Sequence, residues 1–83
     1  GPSIERELAL IKVIGDDKMQ AECLKVADEF HANILDSTAR SYVFEVVDST
    51  EKMDEFINLM KPLGLVDVSR TGVVAISRGL KAF

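Results

Sequence analysis

Apolar residues recur at every second position along two short runs near the C-terminus, residues 65–69 and 73–77, as a strand with one buried face requires. In the first run the alternation predicts Val66 and Val68 on one face, with Leu65, Asp67 and Ser69 on the other. Arg70-Thr71-Gly72 separates the runs. Glycine has no Cβ to resist unusual dihedrals, so Gly72 predicts a bulge, bend or tight turn, and a last strand bent or split there. Residues 8–14 are apolar on both faces except at Lys12, the pattern of a central strand. The charged Glu5-Arg6-Glu7 reads as a lead-in to it. Residues 42–47 set Tyr42, Phe44 and Val46 on one face and are rich in β-branched and aromatic side chains, predicting another strand. Residues 32–38 predict a weaker edge strand, since edges tolerate polar residues on both faces. Ala39-Arg40-Ser41 is the turn between these two.

Two stretches switch to helical spacing. After Gly15, Asp16 or Asp17 can cap a helix over residues 18–30, whose stripe is Met19, Cys23, Ala27 and Phe30, with Leu24 and Val26 flanking it and Gln20 facing water. After the capping oxygens of Asp48-Ser49-Thr50, Met53, Phe56, Ile57 and Met60 recur at i, i+3, i+4 and i+7. Lys61-Pro62-Leu63-Gly64 ends that helix: proline cannot continue the ladder, and glycine can take the left-handed cap. The order strand, helix, strand, strand, helix, strand predicts an α+β, ferredoxin-like βαββαβ fold. Right-handed crossovers put both helices on one face of an antiparallel sheet. The other face is then open, and the central strands make it apolar, which suits a partner.

Eighty-three residues hold one small domain. Gly1-Pro2-Ser3 reads as an expression scar, residues 4–79 as the domain, and residues 80–83 as a tail. The net charge of −4 argues against a nucleic-acid surface, where clustered Lys and Arg are needed. No apolar run approaches a membrane span, so no membrane partner is expected. The single cysteine, Cys23, cannot form an internal disulfide and points to a reducing, cytoplasmic setting.

Catalytic chemistry finds little to stand on. His31, the only histidine, has no nucleophile or ligand companion and fits a helix C-terminus. Tyr42 and Phe44 could stack bases, but the basic residues that would accompany them are missing. No catalytic residue, metal ligand or cofactor-binding residue is assigned. Arg70, Thr71 and Gly72, with Arg78 near enough to join them, are the candidate interface or regulatory residues: either a solvated bend, or a contact in which Arg70 meets a carboxylate or phosphate. At an exposed bend, replacing Arg70 would change assembly more than folding.

Three pieces of the chain, Glu5-Arg6-Glu7-Leu8-Ala9-Leu10-Ile11-Lys12-Val13, Asp28-Glu29-Phe30-His31-Ala32-Asn33-Ile34-Leu35-Asp36 and Gly64-Leu65-Val66-Asp67-Val68-Ser69-Arg70-Thr71-Gly72-Val73-Val74-Ala75-Ile76, carry a resemblance. The chain resembles the C-terminal domain of the small, regulatory subunit of acetohydroxyacid (acetolactate) synthase. His31 departs from it, standing where the family usually has arginine. The resemblance implies an ACT-like regulatory domain without chemistry of its own. It implies a catalytic (large) subunit as partner, with thiamine diphosphate, Mg²⁺ and FAD held by that subunit and none by this chain. It further implies support of activation and of valine feedback inhibition in branched-chain amino acid biosynthesis, and a homodimer formed through the sheet face or edge. A free-standing ACT-like amino acid sensor is the alternative. An acylphosphatase-type enzyme would need a phosphate-cradling loop where Gly15-Asp16-Asp17 is acidic.

Overall fold

In the computed structural model, which describes residues 3–79, the chain runs β1 (Ser3–Ile14), α1 (Asp17–Glu29), β2 (Asn33–Ser37), β3 (Ser41–Asp48), α2 (Thr50–Met60), a 3-10 turn (Lys61–Leu63), β4 (Leu65–Arg70) and β5 (Val74–Ser77). The strands lie in the order β2-β3-β1-β4, all antiparallel, and β5 pairs with the first residues of β1. This is the expected βαββαβ arrangement, with residues 8–14 central and residues 33–37 at the edge. Gly1, Pro2 and the expected tail, residues 80–83, lie outside the described residues.

β1 is longer than the sequence reading. Its expected lead-in, Glu5-Arg6-Glu7, is strand, and so is Ser3, which pairs with Ser77. Ser3 to Arg6 bond to β5 alone, while β3 begins only opposite Glu7. Residues 3–6 and 74–77 therefore form a two-stranded ribbon running beyond the body of the sheet, and the Cα trace spans 48 × 17 × 16 Å.

The core lies between the sheet and the helices. Ala9, Ile11 and Val13 of β1, Phe44 and Val46 of β3, Cys23 and Ala27 of α1, Phe30, and Met53, Phe56 and Met60 of α2 are buried together. Phe30 and Phe56 stack tilted, their ring centroids 5.1 Å apart. Asp16 caps α1 by accepting from the Met19 N–H, and Ser49 caps α2 by accepting from Lys52. Tyr42 and Phe44 sit 5.6 Å apart with Tyr42 packed on the core, so this pair is used in packing.

Two expected faces are corrected. Gln20, expected in water, is buried with Cys23 and Ala27, and its Nε2 finds no partner; Met19 is only half-buried, its side chain against Gly15. Leu65 and Val68, expected on opposite faces, lie on the same side of the sheet. The register of β4 against β1 shifts by one residue between Val13↔Leu65 and Lys12↔Asp67, so the alternation skips a step there. Val66, in the skipped position, is exposed.

Candidate functional site

β4 and β5 are one strand interrupted by a bulge. Arg70 stands opposite Ala9 and Val74 opposite Arg6, so Thr71, Gly72 and Val73 oppose only Leu8 and Glu7. The Thr71 N–H donates to the Leu8 carbonyl (3.0 Å), and the Leu8 N–H donates to Thr71 Oγ1 (3.1 Å) rather than to a backbone oxygen. The Thr71 hydroxyl in turn donates to the Gly72 carbonyl (2.8 Å). Gly72 takes φ 81°, the left-handed conformation that glycine tolerates best. The bend expected at Gly72 is thus a β-bulge, stitched by the threonine beside it.

The bulge opposes a buried acid. Glu7 follows the inward parity of Ala9, Ile11 and Val13 and is 4% exposed. Arg70 closes on it as a fork: Nε donates to Oε1 at 3.1 Å and Nη2 to Oε2 at 2.6 Å. Its third nitrogen, Nη1, donates to Asp54 Oδ1 of α2 at 2.8 Å. Two bonds from one planar guanidinium are the strong form of the Arg–carboxylate pair. The fork holds the Glu7 carboxyl below the usual carboxylate range against the opposing effect of burial, with the Thr50 hydroxyl assisting. The same carboxylates push the Arg70 guanidinium up, so it is charged at every working pH.

Arg70 therefore departs from the solvated bend of the sequence reading. It faces the helix side of the sheet and ties α2 to β1, while Thr71 and Gly72 are exposed as expected. Arg78 does not join it. Ser77 pairs with Ser3 and Arg70 with Ala9, which places Arg78 about 20 Å along the ribbon, at its far end.

Among the described residues, the other side of the sheet carries no helix. Leu8, Leu10, Lys12 and Ile14 of β1 face it with Val43, Glu45 and Val47 of β3 and Asp67 and Ser69 of β4. Leu10, Ile14 and Val47 are 40–53% exposed. The parity of β1 carries this face on into the ribbon, where Ile4 pairs with Ile76 and Arg6 with Val74; Val74 and Ile76 are exposed. An apolar strip thus runs the length of the molecule. A shallow depression of about 220 Å³ lies in it between Leu10, Lys12, Val43, Asp67 and Ser69.

The ribbon and the partners of Arg70 escaped sequence reasoning. A signal existed for Glu7: it sits two residues before Ala9 in the inward register, and a carboxylate there needs a cation. Asp54 gave none, since exposed acids on helices are common.

Residues 6–79 match the family model described as the small subunit of acetolactate synthase. The chain is 38% identical over 79 residues to the probable acetolactate synthase small subunit of Archaeoglobus fulgidus, covering 95% of this chain and 50% of that protein. It is 36% identical over 76 residues to the acetolactate synthase small subunit of Bacillus subtilis, covering 92% and 44%. The crystal structure of the acetolactate synthase small subunit from Thermotoga maritima superposes with a TM-score of 0.83 at 33% identity, over 94% of this chain and 48% of that one. The ACT domain from GTP pyrophosphokinase of Chlorobium tepidum shares the fold, with a TM-score of 0.53 at 18% identity. The chain spans about half the length of the curated relatives it matches.

Proposed function

Because this chain belongs to the acetolactate synthase small-subunit family, we propose that it is a regulatory, non-catalytic domain that works by docking. Its partner is the catalytic subunit of acetolactate synthase, a thiamine diphosphate-dependent transferase. The domain supports that subunit's activation and its feedback inhibition by valine. The match over residues 6–79 carries the reading, and the uncovered apolar strip supports it.

The residues of the bulge serve assembly indirectly. Arg70, Thr71 and Gly72 set where the ribbon leaves the body, and Arg78 at its far end is free to meet a partner's acid. The domain itself forms a homodimer through its sheet. Thiamine diphosphate, Mg²⁺ and FAD belong to the catalytic subunit. Among the described residues no group of three or more His, Cys, Asp or Glu side chains is placed to hold a metal ion. No helix among the described residues is long and apolar enough to cross a membrane.

Reconstitution tests this. The catalytic subunit is assayed with the small subunit, with and without this domain, for rate and for valine inhibition. A rate or inhibition curve that changes when the domain is removed is expected; two curves indifferent to it overturn the proposal. Calorimetric binding of valine, leucine or isoleucine by this chain alone at micromolar concentrations would favour a direct amino acid sensor instead.

A further inference from the structure

We propose that Arg70 is a latch between α2 and the ribbon of residues 3–6 and 74–77. Its bonds to Glu7 and Asp54 hold the ribbon at one angle to the body, and breaking them frees the ribbon to swing about Glu7 and Gly72. The proposal rests on the docking role given above and adds how the pose of the projecting part is set.

The ribbon takes its direction from its root. Among the described residues β5 pairs only with β1, and no residue of the ribbon belongs to the core. Ile4, Val74 and Ile76 are 36–64% exposed. A two-stranded ribbon with no packed face has little to stiffen it. At the root the sheet narrows from three strands to two: β3 pairing ends at Glu7 and β4 pairing at Ala9, while ribbon pairing begins at Arg6. Across that step the Thr71 N–H still reaches the Leu8 carbonyl, but the Leu8 N–H is left to the Thr71 side chain. Gly72 has open space around it, so no neighbouring side chain resists a change of angle there.

The latch spans this step on the helix side. Thr50 and Asp54 lie one turn apart on the same face of α2, where Thr50 bonds Glu7 and Asp54 accepts from Arg70. Among the described residues the remaining ion pairs, Lys25–Glu22 and Lys52–Glu55, each lie within one helix, so only the Arg70 network joins elements through charge. Its two arms differ in access: Glu7 is buried, whereas the Asp54 side chain is 55% exposed. The exposed arm adds little to folding. The poses of an unpacked ribbon differ by little more than thermal energy, however, so a weak bond selects among them. It is also the bond that a protein docked on α2 can break, by offering Asp54 a cation or Arg70 a carboxylate. The ribbon is about 13 Å long, so a swing of about 20° at its root moves its far end by about 5 Å.

The experiment measures distances between spin labels by electron double resonance, with labelled chains diluted in unlabelled ones so that each pair is read within one chain. Glu51→Cys with Ala75→Cys reports α2 to ribbon, and Glu51→Cys with Lys18→Cys reports the body alone; all three positions are exposed, and the native Cys23 is buried. Wild type should give one narrow distribution for each pair. The ribbon distribution should widen by about half in Asp54→Ala and about twofold in Arg70→Ala, with the body pair unchanged. The double variant Glu7→Leu with Arg70→Met replaces the buried pair by apolar side chains, which keeps the fold and removes the bonds, and should widen the ribbon distribution as Arg70→Ala does. A wild-type ribbon already broad, a ribbon as narrow as wild type in Asp54→Ala or in the double variant, or a body pair that widens along with it overturns the proposal. A latch that holds in a chain to which the catalytic subunit is indifferent would overturn the regulatory reading and spare this one. A ribbon unmoved by every variant, in a chain that still alters the catalytic subunit, would do the reverse.

Discussion

Arg70 and Glu7 meet as a two-bond fork across the bulge that separates β4 from β5. The relationship fixes three elements at once, because the remaining Arg70 nitrogen holds Asp54 on α2. The arm to Asp54 is solvent-exposed and contributes little. The arm to Glu7 is different: removing the arginine leaves a carboxylate shielded from water without its cation. Arg70→Ala should lower Tm by more than about 5 °C, which is large for a chain this short. Arg70→Lys keeps the charge and loses the planar fork, so it should fall between the two. Thermal unfolding followed by circular dichroism decides. A Tm within a degree of wild type for both variants would show that the fork is incidental.

Glu7 also makes stability depend on acid. Its carboxyl is held below the ordinary value of 4.5 in the folded chain. The unfolded chain therefore binds this proton at higher pH than the folded chain, and stability rises with pH across that interval. The contribution is complete above about 4.5 and is lost as pH falls through the lowered folded value. Glu7→Gln removes it. The Tm difference between wild type and Glu7→Gln should thus be widest at neutral pH and shrink as the pH is lowered below about 4.5. A difference that stays constant down to pH 3 would mean that Glu7 titrates as an ordinary surface acid.

Much of this fold could be read from the chain, and the reasons for the misses are local. Periodicity located both helices and the central and edge strands, because Met53, Phe56 and Met60, or Ala9, Ile11 and Val13, repeat with the period of the element they occupy. It failed where the period is broken by backbone geometry. The shift between Lys12 and Val13 put Leu65 on the side of Val68, and no residue type announces such a step. The ribbon failed for another reason: Glu5-Arg6-Glu7 looks like solvated chain until β5 is known to lie beside it. At the candidate site, the sequence singled out Arg70 but not what it holds, since Glu7 and Asp54 are 63 and 16 residues away. Gln20 stays buried with a free donor, and no partner explains it.

Gly64 and Gly72 both adopt positive φ, at 98° and 81°, but for different reasons. A Cβ on Gly64 would stand 2.0 Å from the Ile14 carbonyl oxygen, and that backbone cannot withdraw, because the Ile14 N–H donates to the Gly64 carbonyl. A Cβ on Gly72 would meet nothing within 4 Å. Gly64→Ala should cost more than about 2 kcal/mol, combining strain with a backbone clash. Gly72→Ala should cost about 1 kcal/mol, the conformational penalty alone. Urea denaturation of the two variants measures the contrast, and equal costs would mean that close approach at Gly64 is relieved by movement of the turn.

His31 is the one non-glycine among the described residues with positive φ, at 56°. It follows the C-cap Phe30 of α1, and the bonding around it explains why it is there. Its N–H donates to the Asp28 carbonyl, and the next N–H, of Ala32, donates to Ala27. These are the paired bonds of a Schellman ending, in which the left-handed residue is usually glycine. The imidazole is exposed, so nothing in the packing asks for histidine at this position. The backbone conformation is what the motif needs, and a side chain there carries a cost of about 1 kcal/mol that glycine lacks. Glycine returns part of that gain through its freer unfolded chain. His31→Gly should therefore raise Tm by about 2–4 °C. His31→Val, branched at Cβ and worse in this region, should lower it. A loss of stability in His31→Gly would show that the imidazole makes a contribution beyond its backbone, and would return this residue to the list of functional candidates.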